Sequence, residues 1–283
     1  MDILKTKSQM REWSKNKKTE SKTICFVPTM GYLHQGHVSL LEKGKPLCDE
    51  LVISIFVNPT QFGPNEDLDD YPSNIEKDLD LAQKAGVTAV FLPDKKNIYP
   101  ENFQTEVKLQ YLPGFLCGKS RPIHFAGVAT VVTKLFNIVM PDIAVFGQKD
   151  YQQLQIVRQL VKDLDFNIKI LGGNIIREKT GLAMSSRNAY LSKIQRKSAL
   201  CLSKSLDLAR KLIAGGEKNP VTIKKKIETF IEAFPETIIE YVSLCNPENL
   251  EDIDRIEDKI LVALAVKIGR TRLIDNALIN PAQ

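Results

Sequence analysis

The strongest constraint on the fold is a series of short apolar segments separated by helical patterns. The apolar segments are rich in Val, Ile and Phe, and they lie at residues 23–28, 51–57, 87–92 and 142–147. Continuous apolar runs of this length are typical of strands that are buried on both faces of a sheet. Between them, apolar residues recur with the spacing of amphipathic helices, at residues 37–48, 73–86 and 125–140. Strands that alternate with helices predict right-handed crossovers and therefore a parallel α/β sheet.

The pattern changes after residue 173. Two long amphipathic segments are followed by three apolar strands, at residues 192–214, 218–233, 237–244, 259–266 and 270–278. This order indicates a smaller α+β domain. We therefore predict a Rossmann-like, doubly wound parallel sheet at residues 1–173 and a smaller α+β C-terminal lid domain at residues 174–283. Gly172 and Gly173 are the candidate hinge, although a glycine pair is equally typical of a turn between strands.

The composition argues against a nucleic-acid patch, a disulfide scaffold and a membrane protein. The formal charge is +5, from 39 basic and 34 acidic residues, and the lysine clusters contain no interleaved aromatic residues that would stack on bases. The five cysteines are widely spaced and include no C-x-x-C pair. The N-terminus lacks an apolar signal core, and the longest apolar runs have the length of strands. We expect a cytoplasmic protein with no nucleic-acid or membrane partner.

The segment PTMGYLHQGH, residues 28–37, carries the most distinctive chemistry. It follows the first predicted strand, opens a helix and holds two of the three histidines in the chain. In an open parallel sheet, ligands bind where loops leave the carboxyl ends of the strands. Gly31 and Gly36 allow a ligand to approach the backbone, and the N-terminus of the following helix favours an anion such as phosphate. His34 and His37 would add side-chain donors to that anion.

Two other interpretations of the histidine pair stay open. A zinc site would need a third ligand, but the sequence has neither an H-E-x-x-H motif nor a nearby cysteine cluster. An isolated pair of this kind is more often simply satisfied or exposed. Two common nucleotide fingerprints are absent: no G-x-G-x-x-G follows a strand, and the glycines of GFLCGKS, residues 114–120, are one residue too close for a P-loop.

Five longer motifs carry a resemblance to a known family. In chain order they are PTMGYLHQGH, FVNPTQFGPNEDLDDYP, CGKSRPIHFAGV, FGQKDYQQL and GLAMSSRN. The first contains H-x-G-H, which is similar to the signature of the nucleotidyltransferase and class I aminoacyl-tRNA synthetase superfamily. The ordered set resembles the pantothenate synthetase family, the AMP-forming pantoate:β-alanine ligases. The resemblance implies that ATP drives the condensation of D-pantoate and β-alanine through a pantoyl adenylate, with release of AMP and pyrophosphate.

The resemblance also implies a set of site residues. The catalytic donors would be His34, His37 and Lys149, because the first step builds negative charge on the phosphates. The residues that would contact ATP are Met30, Gly31, Tyr32, Leu33, His34, Gln35, Gly36, His37, Gly147, Gln148, Lys149, Asp150, Ile176, Met184, Ser185, Ser186 and Arg187. Gln61 and Gln153 would bind pantoate, since an amide offers both a donor and an acceptor. Taken singly, either glutamine would be an ordinary exposed residue.

Several of these motifs also have a purely structural explanation. Lys149 and Asp150 would form a surface ion pair or cap a helix as readily as they would bind phosphate and ribose. MSSRN, residues 184–188, offers hydroxyls and a guanidinium to a phosphate-covering lid, but it would also make an ordinary turn and helix start. Arg121 and His124 precede a predicted helix, and their role is open between the pantoate side and a dimer contact.

Further partners follow from the resemblance, and two other functions stay open. Mg²⁺ should accompany ATP and bridge its phosphate oxygens, although no dedicated carboxylate cage is visible. A homodimer through the larger domain is expected from the resemblance alone. The alternatives to a ligase are a related adenylyl- or cytidylyltransferase with a different acceptor and a non-catalytic nucleotide- or RNA-binding module.

Overall fold

The computed structural model describes residues 1–64 and 66–281, which form two compact units. The first unit comprises residues 1–110, 121–148 and 153–174. The second comprises residues 111–120, 149–152 and those from 175 onward. Two short segments that precede residue 173 therefore group with the second unit. A single boundary after residue 173 stays a prediction.

Up to residue 173, each strand is separated from the next by one or more helices. The strands are β1 (Asp2–Leu4), β2 (Ile24–Thr29), β3 (Glu50–Ile55), β4 (Ala89–Phe91), β5 (Ile143–Gly147), β6 (Lys169–Gly173), β7 (Thr237–Cys245), β8 (Ile260–Ile268) and β9 (Thr271–Ile279). The α-helices are α1 (Lys7–Thr19), α2 (Gln35–Gly44), α3 (Ile75–Lys84), α4 (Lys95–Ile98), α5 (Leu116–Ser120), α6 (His124–Val139), α7 (Tyr151–Asp163), α8 (Lys193–Ala214) and α9 (Pro220–Glu232). Among the described residues, no helix has both the length and the apolar character to cross a membrane.

Strands β1 to β6 form one parallel sheet in the first unit, in the order β1-β4-β3-β2-β5-β6. This confirms the predicted parallel α/β architecture, and the four predicted strands end within two residues of their expected limits. Strands β1 and β6 and helices α1 and α7 were not predicted.

Both faces of this sheet are buried, which explains the continuous apolar runs. Successive residues of a strand point to opposite faces, and Phe26 and Val27 of β2 are both fully buried. Phe26 belongs to a core that includes Phe136 of α6, whereas Val27 belongs to a core that includes Leu41 of α2. Each large apolar side chain buried in this way contributes about 1.5–3 kcal/mol.

The strand order reverses between β2 and β5. From β2 the chain extends the sheet through β3 and β4, and it then returns to place β5 on the other side of β2. The register pairs Cys25 with Ile143 and Phe26 with Ala144, so both strands end at the same edge. Open α/β sheets bind ligands outside the carboxyl ends of their strands at such a reversal. The loops after β2 and β5 therefore frame the candidate site of the first unit.

Gly172 and Gly173 lie inside strand β6. They pair with Phe146 and Gly147 of β5. A Cβ atom on Gly173 would lie 2.1 Å from Cδ2 of Leu40 in α2, and no ordinary Cβ contact is that short. The interpretation of this pair as a turn between strands is therefore wrong, since close packing of a helix on the strand accounts for the missing side chain.

The second unit contains a three-stranded antiparallel sheet in the order β7-β8-β9. Helices α8 and α9 share an aliphatic core with it, which includes Leu202, Ile227 and Leu264. This confirms the predicted smaller α+β region. Arg177 donates to both carboxylate oxygens of Asp275, at 2.7 and 2.9 Å, and thereby ties the segment before α8 to strand β9.

Candidate functional site

Asp78 of helix α3 holds the loop between β2 and α2. Its Oδ2 and Oδ1 accept hydrogen bonds from the backbone N–H groups of Tyr32 and Leu33, at 2.7 and 2.6 Å. Gly31 and Tyr32 have left-handed φ angles of +86° and +52°. A Cβ atom on Gly31 would lie 3.0 Å from Ile55 Cγ2, so the loop also turns through a narrow space. Glycine permits this turn, and Asp78 satisfies the amide groups that the turn leaves outside any strand or helix.

The environment of Asp78 makes it a structural anchor. Its side chain is buried at 1% exposure. Burial raises the pKa of Asp78, while the hydrogen bonds from Leu33 and Tyr32 and the charge of Lys77 oppose that rise. The motifs of the sequence do not include Asp78, although a signal is present: Asp78 stands on the apolar face of its helix, four residues before Ala82.

His34 and His37 cap the first turn of α2 reciprocally. Nδ1 of His34 accepts the N–H of Gly36 at 3.1 Å, and Nδ1 of His37 accepts the N–H of His34 at 3.3 Å. The two rings stack, with centroids 4.1 Å apart and planes inclined by 30°. Because each Nδ1 is an acceptor, the neutral ring carries its proton on Nε2. Both imidazoles therefore present the donor tautomer that a phosphate oxygen requires.

A metal site at this histidine pair would need further ligands. Within residues 1–64 and 66–281, no group of three or more His, Cys, Asp or Glu side chains is arranged to hold a metal ion. In the described structure the two histidines cap helix α2 through Nδ1, and each keeps Nε2 as its donor atom.

Gln61 lies in a 3-10 turn, Pro59–Gln61, that follows strand β3, and it is 8% exposed. Its Oε1 accepts a hydrogen bond from Asn58 Nδ2 at 3.1 Å, and its Nε2 donates to Sδ of Met30 at 3.0 Å. Asn58 Nδ2 also donates to the carbonyl of Gly127 at 3.1 Å. The structure thus brings together two predicted site residues, Met30 and Gln61, from loops that follow neighbouring strands.

Arg121 and His124 hold the backbone of the same turn. His124 Nδ1 lies 2.9 Å from the carbonyl oxygen of Gln61, and Arg121 Nη2 donates to that oxygen at 3.2 Å. Arg121 also donates to both carboxylate oxygens of Glu66. Burial works to raise the pKa of Glu66, but the hydrogen bond and charge of Arg121 outweigh it and the pKa is lowered. Arg121 and His124 thus lie beside Gln61, and their role on the pantoate side or at a dimer contact stays a prediction.

Gly147 ends strand β5 at the carboxyl edge of the sheet, and Gln148 follows it. A Cβ atom on Gly147 would have only Leu40 Cδ1 nearby, at 4.0 Å, so the backbone there is not crowded. Gln153 lies on helix α7 and is half-buried. Since β2 and β5 are adjacent and parallel, the segments after them leave the same edge.

In the second unit, Asn276 of strand β9 anchors Lys149. Its Nδ2 donates to the Lys149 carbonyl at 2.8 Å. Lys149 Nζ lies 3.8 Å from Asp150 Oδ2, which is the ion pair that the sequence allowed. This distance is long and Asp150 is exposed, so the pair holds the lysine only weakly.

The remaining predicted residues form a hairpin and a capped turn in the second unit. The Met184 N–H donates to the Ile176 carbonyl at 2.9 Å. Ser185 then caps the 3-10 turn Ser186–Tyr190, because its Oγ accepts the N–H of Arg187 at 3.3 Å. The MSSRN motif is therefore a capped turn, as its structural explanation proposed.

Asn188 and Glu178 fix that turn. Asn188 Nδ2 donates to Glu178 Oε1 and to the Ala183 carbonyl, both at 3.0 Å. Arg196 of α8 donates to the Glu178 carboxylate at 3.0 Å and to the Asn188 carbonyl at 2.9 Å. The sequence did not predict the ion pair of Glu178 and Arg196. Charged residues are dispersed along this part of the chain, and no pattern shows which two will form a pair.

The predicted site residues divide between the two units. Those in the first unit are Met30 to His37, Gln61, Gly147, Gln148 and Gln153. Those in the second unit are Lys149, Asp150, Ile176 and Met184 to Arg187. Within each unit the structure joins some of them directly.

Comparisons with known proteins identify the relatives of this chain. Residues 2–278 match the family model described as Pantoate-beta-alanine ligase. The chain is 56% identical to the pantothenate synthetase of Desulfatibacillum aliphaticivorans over 281 residues, which cover 99% of this chain and 100% of that relative. It is 56% identical over 283 residues to the pantothenate synthetase of Desulforapulum autotrophicum, with both chains fully covered.

Solved structures give a matching result. A pantothenate synthetase from Thermus thermophilus is 39% identical with a TM-score of 0.93, over 98% of this chain and 99% of that one. The pantoate-β-alanine ligase from Francisella tularensis, complexed with β,γ-ATP and β-alanine, is 34% identical with a TM-score of 0.82, over 99% of each chain. The similarity therefore extends over nearly the whole length of each protein.

Proposed function

Because this chain belongs to the pantoate-β-alanine ligase family, we propose a residue-level assignment for its reaction, the ATP-dependent ligation of pantoate and β-alanine. The chain is an enzyme of pantothenate biosynthesis. A transferase with a different acceptor and a non-catalytic nucleotide- or RNA-binding module are not favoured, because relatives that are 56% identical over the whole chain are named pantothenate synthetases.

We propose that the ligation takes two steps. The carboxylate of D-pantoate attacks the α-phosphorus of ATP, and pyrophosphate leaves to give pantoyl adenylate. The amine of β-alanine then attacks the acyl carbon, AMP leaves with the bonding electrons, and the amine loses a proton as the amide forms. Negative charge grows on phosphate oxygens in the first step, so fixed hydrogen-bond donors are the groups that lower its barrier.

The observation that supports this assignment best is the reciprocal cap of His34 and His37. Their Nδ1 atoms are engaged with backbone N–H groups at 3.1 and 3.3 Å, which commits both rings to Nε2–H donors. The pair also stands at the N-terminus of α2, where the helix dipole favours an anion. We assign His34, His37 and Lys149 as the catalytic donors to the phosphates.

ATP binding is assigned to residues of both units. In the first unit these are Met30, Gly31, Tyr32, Leu33, His34, Gln35, Gly36, His37, Gly147 and Gln148. In the second unit they are Lys149, Asp150, Ile176, Met184, Ser185, Ser186 and Arg187. In this proposal residues 1–173 are the nucleotide-binding domain and residues 174–283 are the lid.

We assign pantoate to Gln61 and Gln153, with β-alanine beside it. Gln61 Nε2 donates to the thioether sulfur of Met30 at 3.0 Å. A thioether is a weak acceptor, so an oxygen atom of a hydroxy acid would be a stronger partner for the same N–H group. The amide orients the substrate without neutralising the carboxylate that must act as nucleophile.

We also propose that Mg²⁺ enters with ATP. The acidic side chain at the loop, Asp78, already accepts a backbone N–H on each of its oxygens. Mg²⁺ keeps several waters and commonly binds substrate phosphates, so we assign its ligands to phosphate oxygens and water. The ion would neutralise charge on the phosphates.

The family resemblance supports two further proposals, a homodimer through the larger domain and a cytoplasmic location. Sedimentation equilibrium tests the first, since a dimer gives twice the mass of the chain at concentrations well above its dissociation constant.

The reaction is tested by following AMP and pyrophosphate release from Mg-ATP and D-pantoate, with and without β-alanine. We expect catalytic AMP release only when both acids are present, and its loss in His37→Ala. Sustained pyrophosphate release without an amine would support a transferase with another acceptor. Absence of turnover together with RNA binding that weakens steeply with salt would support the binding module.

A further inference from the structure

Two hydroxyl groups near Gln61, those of Tyr99 and Thr60, are not among the residues assigned to the substrates. Tyr99 follows helix α4, and its Oη donates to Oδ1 of Asn58 at 2.8 Å. Thr60 Oγ1 donates to the same oxygen at 3.0 Å and lies 3.1 Å from Tyr99 Oη. Asn58 is 2% exposed and Gln61 is 8% exposed. Both amides are therefore oriented by protein partners.

The carbonyl of Gly127 sets the direction of this chain of hydrogen bonds. A carbonyl only accepts, so Asn58 must turn its Nδ2 toward it, and the two atoms lie 3.1 Å apart. Oδ1 of Asn58 then faces the hydroxyls of Tyr99 and Thr60. A Cβ atom on Gly127 would lie 2.4 Å from the Thr60 carbonyl oxygen, so helix α6 packs directly on this turn.

The second hydrogen of Asn58 Nδ2 determines how Gln61 is turned. It points to Gln61 Oε1, at 3.1 Å. The Gln61 oxygen is thereby occupied, and Nε2 is the end of the amide that faces Met30. Four side chains thus form one directional series, from hydroxyl donors through Asn58 to the Gln61 N–H.

We propose that Tyr99 is a positioning residue for pantoate, which acts through Asn58 to fix Gln61 with its amide nitrogen toward the substrate. This inference rests on the assignment of pantoate to Gln61. A glutamine that rotated about its last bond would present its oxygen as well as its nitrogen, and an amide oxygen repels a carboxylate or the acceptor face of a hydroxyl. We call this series of hydrogen bonds from Tyr99 and Thr60 through Asn58 to Gln61 the relay. It keeps the Gln61 amide nitrogen toward the substrate as a hydrogen-bond donor, which favours a ligand that is rich in oxygen acceptors.

Packing keeps the Tyr99 hydroxyl in place. The ring makes an edge contact with Phe103, with centroids 5.1 Å apart, and a tilted contact with Phe56 at 6.4 Å. Lys134 Nζ lies 5.7 Å from the centre of the Tyr99 ring. Burial raises the pKa of Tyr99, and the neighbouring Thr60 hydroxyl only partly opposes that rise, so the Tyr99 hydroxyl remains a donor at neutral pH.

The double variant Tyr99→Phe/Thr60→Val removes both hydroxyls and keeps the shape of each side chain. We expect the KM for pantoate to rise about tenfold, the effect of losing one neutral hydrogen bond, here the bond from Gln61 to pantoate. The KM for ATP should change less than about twofold. Tyr111→Phe is the control, because it removes a hydroxyl that bonds to Glu251 in the second unit. Equal changes in both KM values, or none, would overturn the proposal.

A double-mutant cycle separates positioning from a general structural effect. In a Gln61→Ala background, the loss of both hydroxyls should cause no further change in kcat/KM for pantoate, because the relay acts only through Gln61. Losses that multiply independently would overturn the relay. A Gln61→Ala variant with an unchanged KM for pantoate would instead contradict the substrate assignment.

The relay is also testable without substrate. In protein labelled with ¹⁵N at glutamine side chains, the Gln61 signal is identified by its absence in Gln61→Ala. We expect this signal to shift, and its amide hydrogens to exchange faster, in Tyr99→Phe/Thr60→Val. An unchanged Gln61 signal would overturn the relay whichever substrate binds there.

Discussion

The backbone N–H of Leu33 donates to Asp78 Oδ1 at 2.6 Å, across 45 residues of sequence. This bond and its neighbour from Tyr32 tie the loop before α2 to helix α3. The shape of this loop, which carries residues proposed to contact ATP, therefore depends on a carboxylate from a different helix.

Asp78→Asn should weaken both the fold and the use of ATP. Asparagine keeps one acceptor oxygen, but its amide nitrogen would face a backbone N–H, so one buried donor loses its partner. We expect a loss of about 1–3 kcal/mol in the free energy of unfolding, measured in urea, and a raised KM for ATP. Asp80→Asn on the exposed side of the same helix is the control. Equal behaviour of the two variants would contradict the anchoring role.

His37→Ala and Lys149→Ala should each lower kcat about a hundredfold or more, the usual effect of removing one donor to a developing anion. The measurement is steady-state AMP release with all substrates saturating. Lys162→Ala removes an exposed lysine and serves as the charge control. Turnover within a few-fold of the parent enzyme in either variant would exclude that residue from the catalytic set.

Gly173→Ala should destabilise the first unit, since its Cβ would lie 2.1 Å from Leu40 Cδ2. Overpacking of this kind costs about 1–3 kcal/mol. Leu40→Ala makes room for the new methyl group, so the double variant should be more stable than the sum of the two single effects. Gly114→Ala, where nothing lies within 4 Å, is the control. Strictly additive effects in urea unfolding would argue against the packing explanation.

The pair of Glu66 and Arg121 should make stability depend on pH on the acid side. Arg121 lowers the pKa of Glu66 below its ordinary value of 4.5. A lowered pKa means that the pair stabilises the fold above pH 4.5 and that this contribution is lost as the pH falls below it. The stability difference between the parent and Glu66→Gln should therefore shrink on acidification. A difference that is constant from neutral pH to about pH 3 would contradict this.

Much of the first unit was predictable because strands that are buried on both faces of a sheet read as continuous apolar runs in the sequence. The sequence did not reveal β1, which has three residues and an Ile3 side chain that is 45% exposed. Strand β6 was hidden by its glycine pair. A sequence shows that a side chain is missing but not which neighbour, here Leu40, excludes it.

The candidate site was predictable only where its chemistry lies in contiguous motifs. His34, His37 and Gln61 stand in such motifs, and their types point to donors for oxygen-rich ligands. Asp78 and Tyr99 stand outside the motifs, and Asn58, although it shares a motif with Gln61, also acts through contacts with segments that are far apart in sequence. Their function depends on the directions of hydrogen bonds, which only the folded chain defines.

The strand order also has a consequence for synthesis on the ribosome. The Ile24 N–H donates to the Asp142 carboxylate, 118 residues later, so β2 gains its β5 neighbour long after it has been made. At typical translation speeds this delay is on the order of ten seconds. Until then one edge of β2 is unpaired and open to chaperones or to other chains. The β2–β5 edge of the sheet is thus among the last parts of the first unit to form, and the loops that leave it cannot take up their final positions earlier.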